Sequence, residues 1–322
     1  MRIAIYGAGG VGGYYGAVLA RAGREVALIA RGPHLAAIRE RGLRVRSPRG
    51  DFTVNPAAAT DDPARIGAVD AVIVAVKSPH LAAVRDGIAP LLGPDTLVVP
   101  LLNGVDAHET LLPAVGRRRM GKGLTRIISE ISRPGEIRHV GLEPYVAMAE
   151  RDGGTSPRVE ALVAALTDAG VEAEVPPDID AALWFKFLMI CSVGGVCAVC
   201  RMPIGPVRTL PETRELLRKA MREIAEVAHA HGVALPADAV DRALRIADSL
   251  PPEGTSSLQR DLAAGVPSEL DDWSGAAVRL GARAGVETPI QSFIYSVLLP
   301  GELAARGPAQ ATPERASQDR NG

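Results

Sequence analysis

The chain has 322 residues, of which 47% are hydrophobic and 23% charged, with a net charge of −1. That length predicts about two domains with ample core. The near-neutral balance leaves no electrostatic footprint for nucleic acid or an anionic membrane surface. No stretch is expected to reach the 18 apolar residues of a bilayer span.

Residues 2 to 6, RIAIY, read as a buried strand and run into GAGGVGGYYG. Gly7, Gly9 and Gly12 are spaced as G-x-G-x-x-G, and an amphipathic helix, YYGAVLARAG, follows. Strand, glycine turn and helix in that order form a dinucleotide-binding fingerprint. Gly7 permits the tight turn, Gly9 lets a pyrophosphate approach the backbone, and Gly12 lets the helix pack on the sheet. The N–H groups of Gly9, Gly10 and Val11 lie at the positive end of the helix dipole. The second strand is EVALIA, residues 25 to 30. An NAD-type domain places Asp or Glu at its end to accept from the ribose 2′-hydroxyl. Here Ala30 and Arg31 stand there, and a guanidinium pairs with a 2′-phosphate. The expected cofactor is therefore NADP; the alternative is that Arg31 is a solvated loop charge.

A helix over 34–42 follows, then short strands LRVRS and DFTVN. DAVIVAVKS (70–78) is a buried strand ending at Lys77, HLAAVRDGIAPLL a helix, and TLVVPLLNG (96–104) a further strand ending at Asn103-Gly104. Continuous Val/Ile/Leu runs separated by helices predict a parallel sheet covered on both faces. GLTRIISEIS, GEIRHVG and PYVAMAE predict shorter, antiparallel strands at the sheet edge. Helix SPRVEALVAALTDAG and strand VEAEVP close the domain, with Pro176-Pro177 at the boundary.

From 178 the pattern is helical. DIDAALWFKFLMICSVGGVCAVC predicts a long apolar helix broken at Gly194-Gly195. PETRELLRKAMREIAEVAHAHG, ADAVDRALRIADSL, TSSLQRDLAAG, ELDDWSGAAVRLGARAG and QSFIYSVLL follow, each bounded by Gly or Pro. The polar end predicts a disordered tail. The expected organisation is a Rossmann-type α/β domain over 1–177, an all-α domain over 178–306 and a tail over 307–322. The chain opens in a strand, which leaves no room for a signal peptide. Cys191, Cys197 and Cys200 form an odd set in one apolar run, which fits reduced thiols in the cytoplasm. Cys197 and Cys200 lack a second ligand pair, so packing is expected there and no metal.

Five segments occur in order: the N-terminal fingerprint, VAVKS with Lys77, LLNGVD with Asn103, LWFKF with Lys186, and TSSLQRDLAAGVPSELD with Ser257 and Glu269. Together they resemble the ketopantoate reductase (2-dehydropantoate 2-reductase) family over roughly residues 1 to 300. The resemblance implies an NADPH-dependent two-domain reductase of a small 2-oxo acid, with its site between a Rossmann domain and an all-α domain. It implies that Lys186 is the catalytic lysine and that Glu269 holds substrate and orients it. Ser257 would hydrogen-bond the substrate carboxylate, Asn103 the cofactor ribose or the substrate, and Lys77 a phosphate or carboxylate. A homodimer is also implied by resemblance alone. Each residue has a plainer alternative: a snorkelling lysine at 186, a helix-start carboxylate at 269, a helix cap at 255–257, an Asn-Gly turn at 103 and a solubilising charge at 77.

Reduction of a 2-oxo acid requires a hydride at the carbonyl carbon and an acid at the oxygen. Lys186 lies among Trp184, Phe185, Phe187 and Leu188, where desolvation lowers its pKa. Members that reduce ketopantoate carry Asn four and eight residues after the lysine and another before the glycine matching Gly205. This sequence has Ile190, Gly194 and Ile204. Helical spacing places Ile190 and Gly194 with Lys186 facing the cleft, and the glycine break is expected to widen it. The reaction class is therefore clearer than the substrate: a bulkier or more apolar oxo compound is expected. Ketopantoate itself and a non-catalytic NADP sensor are the alternatives.

Overall fold

The computed structural model describes residues 1–307. The expected tail over 307–322 lies, but for Gly307, outside the described residues. The chain divides into two compact units, Met1–Leu183 and a second beginning at Trp184.

The first unit contains β1 (Arg2–Tyr6), α1 (Gly10–Arg21), β2 (Glu25–Ile29), α2 (Gly32–Arg41), β3 (Leu43–Arg46), β4 (Phe52–Val54) and β5 (Ala58–Thr60). It continues with β6 (Val69–Val74), α3 (Leu81–Gly87), β7 (Leu92–Pro100), α4 (Ala107–Val115), β8 (Gly121–Arg126) and β9 (Ser129–Arg133). β10 (Glu136–His139), β11 (Tyr145–Glu150), α5 (Pro157–Asp168) and β12 (Glu172–Glu174) complete it. Five parallel strands form the central sheet in the order β5-β2-β1-β6-β7. Ile3 and Ile5 of β1 enter one apolar cluster with Tyr15, Val18 and Leu19 of α1. Ala4 and Tyr6 enter the other, with Leu81, Val84 and Leu111. Alternation along a strand with apolar partners on both sides is what buries a parallel sheet.

The short strands differ from expectation. GLTRIISEIS is two strands, not one, and they join different sheets. β8 pairs antiparallel with β11, which pairs with β12, and a bridge from Val98 to Met120 ties this group to the β7 side. β9 and β10 instead join β3 and β4 in a separate four-stranded sheet. The residues between Arg126 and Ser129 are Ile127 and Ile128, with no glycine or proline to signal that change of sheet. β5 and α4 were also not foreseen.

α6 (Ile179–Cys200) crosses the division between the units. The second unit then has α7 (Ile204–Thr209), α8 (Pro211–Ala230), α9 (Ala239–Ser249), α10 (Ser257–Ala263), α11 (Ala276–Ala284) and α12 (Pro289–Arg306). A π-helical turn over Asp271–Gly275 leads into α11. Leu217, Ala220, Met221, Ile224 and Val227 of α8 are buried at helical spacing. The buried Glu223 carboxylate accepts from the N–H groups of Ile290 and Gln291, 2.7 and 2.9 Å, capping the start of α12.

Two expectations for α6 are corrected. It runs without a break through Gly194-Gly195. It is also long and apolar enough to cross a membrane, contrary to the reading that no stretch approaches that length, but most of it is buried inside the protein. The glycines are tolerated because partners pack on them: a Cβ on Gly195 would lie 2.9 Å from a side-chain carbon of Ile294. Packing supplies what glycine's low helix propensity lacks.

Candidate active site

The carboxyl ends of the parallel strands bring four expected positions to one edge of the first unit. β1 ends in the glycine turn, β2 leads to Arg31, β6 to Lys77 and β7 to Asn103. In open α/β sheets this edge, where strand order reverses between β1 and β6, is where ligands bind. Gly7 has φ +102°, and its N–H and that of Ala8 both donate to the Ile29 carbonyl, at 3.1 and 3.0 Å. The turn is thereby stitched to the end of β2. Gly9 caps α1 without a side-chain bond, and a Cβ there would meet nothing within 4 Å. Gly12 has no such room, with the Gly7 carbonyl, Ile5 and Ala75 against it. A Cβ at Gly10 would collide with the Ser129 backbone. The backbone over Gly9–Gly12 is thus open on one side and tightly packed on the other, which suits the close approach of a pyrophosphate.

Arg31 is exposed in extended conformation at the N-cap of α2. Its charge acts on the Tyr6 hydroxyl, opposing the rise that burial imposes on that group. Lys77 is exposed after β6, and Asn103 is half-buried after β7, beside Gly104 at φ +98°.

In the second unit, α6 carries Lys186, and the segment before the π turn carries Glu269. Burial pushes the Lys186 pKa down from 10.5 to about 8, while the Glu269 charge opposes the fall. The pair therefore interact. Though Lys186 keeps some contact with solvent, loss of hydration outweighs its carboxylate partner. Ser257 is the first residue of α10, and the cap is Ser256, whose hydroxyl accepts from the Gln259 N–H at 3.0 Å. The capping alternative thus applies to Ser256. The main chain beside Glu269 is fixed by Glu302 of α12, whose buried carboxylate accepts from both the N–H and the hydroxyl of Ser268 and from Arg306. Asp271 is no simple helix-start charge: it accepts from Tyr295 at 2.8 Å and Arg279 at 3.0 Å.

The positions that replace the family amides are not equivalent. Ile190 is half-buried. Gly194 is buried, and Trp273 lies against it. Ile204 is 1% exposed, with its N–H bonded to the Gly254 carbonyl. It packs on the loop before α10 and is core. The space expected from the glycine pair is filled.

A charge cluster built on the buried Lys122 was missed. Lys122 of β8 holds Asp180 with two bonds of 2.6 and 2.7 Å. Near it, burial first and Lys122 second push the His108 pKa down to about 4. A lysine between two strand glycines, Gly121 and Gly123, was the available signal.

A Rossmann-type unit with an open glycine turn, followed by an all-helical unit with a lysine–glutamate pair of lowered lysine pKa, defines a dinucleotide-dependent oxidoreductase. Residues 3–153 match the model for ketopantoate reductase PanE/ApbA, and residues 178–302 match its C-terminal model. The chain belongs to the ketopantoate reductase family, and is an oxidoreductase acting on a C=O/CH–OH couple. A 2-dehydropantoate 2-reductase of Mesorhizobium japonicum is 33% identical, the alignment covering 92% of this chain and 97% of the relative. The crystal structure of a PanE/ApbA family ketopantoate reductase from Ralstonia eutropha is 32% identical with a TM-score of 0.86, over 95% of this chain and all of the other. D-mandelate dehydrogenase, solved with NADH and anilino(oxo)acetate, shares the fold at 24% identity and a TM-score of 0.85, over 95% of this chain and 100% of the other.

Proposed function

We propose that this protein reduces a 2-oxo acid with an apolar side chain, using NADPH. The observation that carries the reading is the Lys186–Glu269 pair. A lysine with a pKa of about 8 is still largely protonated at neutral pH, yet releases its proton far more readily than an exposed lysine. Held near the carbonyl oxygen, the Lys186 ammonium stabilises the developing alkoxide and then protonates it. Glu269 keeps the ammonium charged and fixes its position. Ser257, with its hydroxyl not serving as the α10 cap, is assigned to the substrate carboxylate.

The bound dinucleotide supplies the hydride. Its pyrophosphate would lie over Gly9, Gly10, Val11 and Gly12, with Lys77 and Asn103 at the neighbouring strand ends. Arg31 would hold the 2′-phosphate, and no carboxylate stands at that strand end to repel it, so NADPH is favoured over NADH. Ketopantoate is the second reading, favoured by the Mesorhizobium relative's name. Ile190 and Gly194 weigh against it, because a polar substrate group buried without a partner costs about 1–3 kcal/mol. The test is steady-state oxidation of NADPH with a panel of 2-oxo acids, comparing kcat/KM. Ketopantoate as the best substrate by a wide margin would refute the apolar reading, and no turnover with any oxo acid would refute the reductase assignment.

A further inference from the structure

We propose that Trp273 sets the substrate class of this site by denying position 194 of the Lys186 helix any side chain, so that the site takes 2-oxo acids whose side chain carries no hydroxyl. The inference rests on the reductase reading above. α6 meets the segment around the π turn twice. Lys186 interacts with Glu269. Eight residues further along α6, Gly194 meets Trp273, which stands four residues after Glu269. A Cβ on Gly194 would lie 2.5 Å from Cζ3 and 3.2 Å from Cε3 of the indole, and 3.3 Å from the Ser256 hydroxyl. Real Cβ atoms do not come that close to a ring. With Trp273 in place, position 194 admits no side chain at all and cannot present a hydrogen-bonding group.

The ring cannot easily yield. Trp273 is 2% exposed and its turn is clamped on both sides. Before it, Ser268 is held by Glu302 through the Ser268 N–H and hydroxyl. Within it, Asp271 is held by Tyr295 and Arg279. The π geometry, with Gly275 N–H donating to the Leu270 carbonyl at 3.2 Å, widens the turn that carries the indole. Such turns are frequent at functional sites. The Cζ3–Cε3 edge packs directly on Gly194. A substrate hydroxyl buried beside position 194 would lose its water with no side chain there to replace it, whereas a methyl would lose nothing.

The experiment uses the full-length protein, four forms and two acids. The forms are wild type, Gly194→Asn, Trp273→Leu and the double variant. The acids are 2-oxo-4-hydroxy-3,3-dimethylbutanoate and 2-oxo-3,3-dimethylbutanoate, which share a carbon frame and differ by one hydroxyl. Wild type is expected to favour the acid without the hydroxyl by about 10- to 100-fold in kcat/KM. The double variant should move that ratio at least about tenfold toward the hydroxylated acid. Independently of activity, Gly194→Asn alone should lower Tm by about 3–10 °C through overpacking, and adding Trp273→Leu should return much of the loss, a non-additive cycle. An active double variant with an unchanged ratio overturns the assignment of Trp273 alone, as does an additive thermal cycle. No reduction of either acid by wild type overturns this assignment, while turnover of another oxo acid of the panel leaves the reductase reading standing.

Discussion

The depressed pKa of Lys186 makes activity and stability depend on pH in opposite ways, and both follow from one number. Folding lowers the group from 10.5 to about 8, with burial the larger cause and Glu269 opposing it. Below pH 8 the lysine is protonated in both folded and unfolded chains, and the full penalty of burying the charge is present. Between pH 8 and 10.5 the folded protein gives up the proton first, so the penalty fades and stability rises with pH. At 1.36 kcal/mol per unit, the penalty at neutral pH is roughly 3 kcal/mol. Reduction, in contrast, needs the proton. The kcat/KM of the reductive reaction should be level below about pH 8 and fall about tenfold per unit above it. Glu269→Gln removes the charge that favours protonation, so the limb should move to lower pH. Lys186→Met combined with Glu269→Gln should lose at least about 100-fold in turnover yet unfold at higher denaturant at pH 7, the gain shrinking by pH 10. The assays are initial rates over pH 6–10 and urea unfolding at both ends. A level profile to pH 9.5, or a limb that rises in Glu269→Gln, would refute the assignment of Lys186 as the acid.

Other expectations concern the cofactor and the supports of the site. NADPH should bind at least about tenfold tighter than NADH, about 1.4 kcal/mol, and Arg31→Ala should remove most of that difference; calorimetric titration with both cofactors checks it, and equal affinities in the unmodified protein would end the argument. Glu302→Ala leaves the N–H and hydroxyl of Ser268 and the Arg306 guanidinium without their shared carboxylate; it should cost about 3 kcal/mol or more by urea unfolding, with Glu302→Gln costing less. Lys122→Met breaks the two bonds to Asp180, whose side chain is 40% exposed and can rehydrate, so the expected loss is only about 1–2 kcal/mol. His108, freed of the Lys122 charge that contributes to its low pKa, should then titrate at higher pH by NMR.

Much of the first unit was legible because each signal was local. A strand, three glycines and a helix state their geometry within about twenty residues, and β1, β2, β6 and β7 declare themselves by β-branched runs. Lys186 and Glu269 lie 83 positions apart; their pairing was legible only through the motifs around them. What was not legible depended on partners distant in the chain. Gly194-Gly195 reads as a helix break because propensity is all a sequence displays; Trp273 and Ile294, which fill the gap, come about 80 and 100 residues later. Ile204 was assigned to the site by position, but packing on Gly254 makes it core. Glu302 is an ordinary helix residue until Ser268 is found beside it.

The same distinction separates reaction type from substrate choice. Proton transfer needs one group of suitable pKa held by one partner, and Lys186 with Glu269 is such a pair whatever lies around it. Substrate choice depends on the shape and polarity of the surrounding wall, and a single large residue can change both. Placing Trp273 against α6 excludes a side chain at 194, while the lysine–glutamate pair is left intact. A family can therefore keep its chemistry while its substrates diverge. Residues that pack against the catalytic helix are accordingly better guides to substrate than the catalytic residues themselves. In this chain Trp273 packs on Gly194 of α6 and leaves position 194 no room for a hydrogen-bonding side chain.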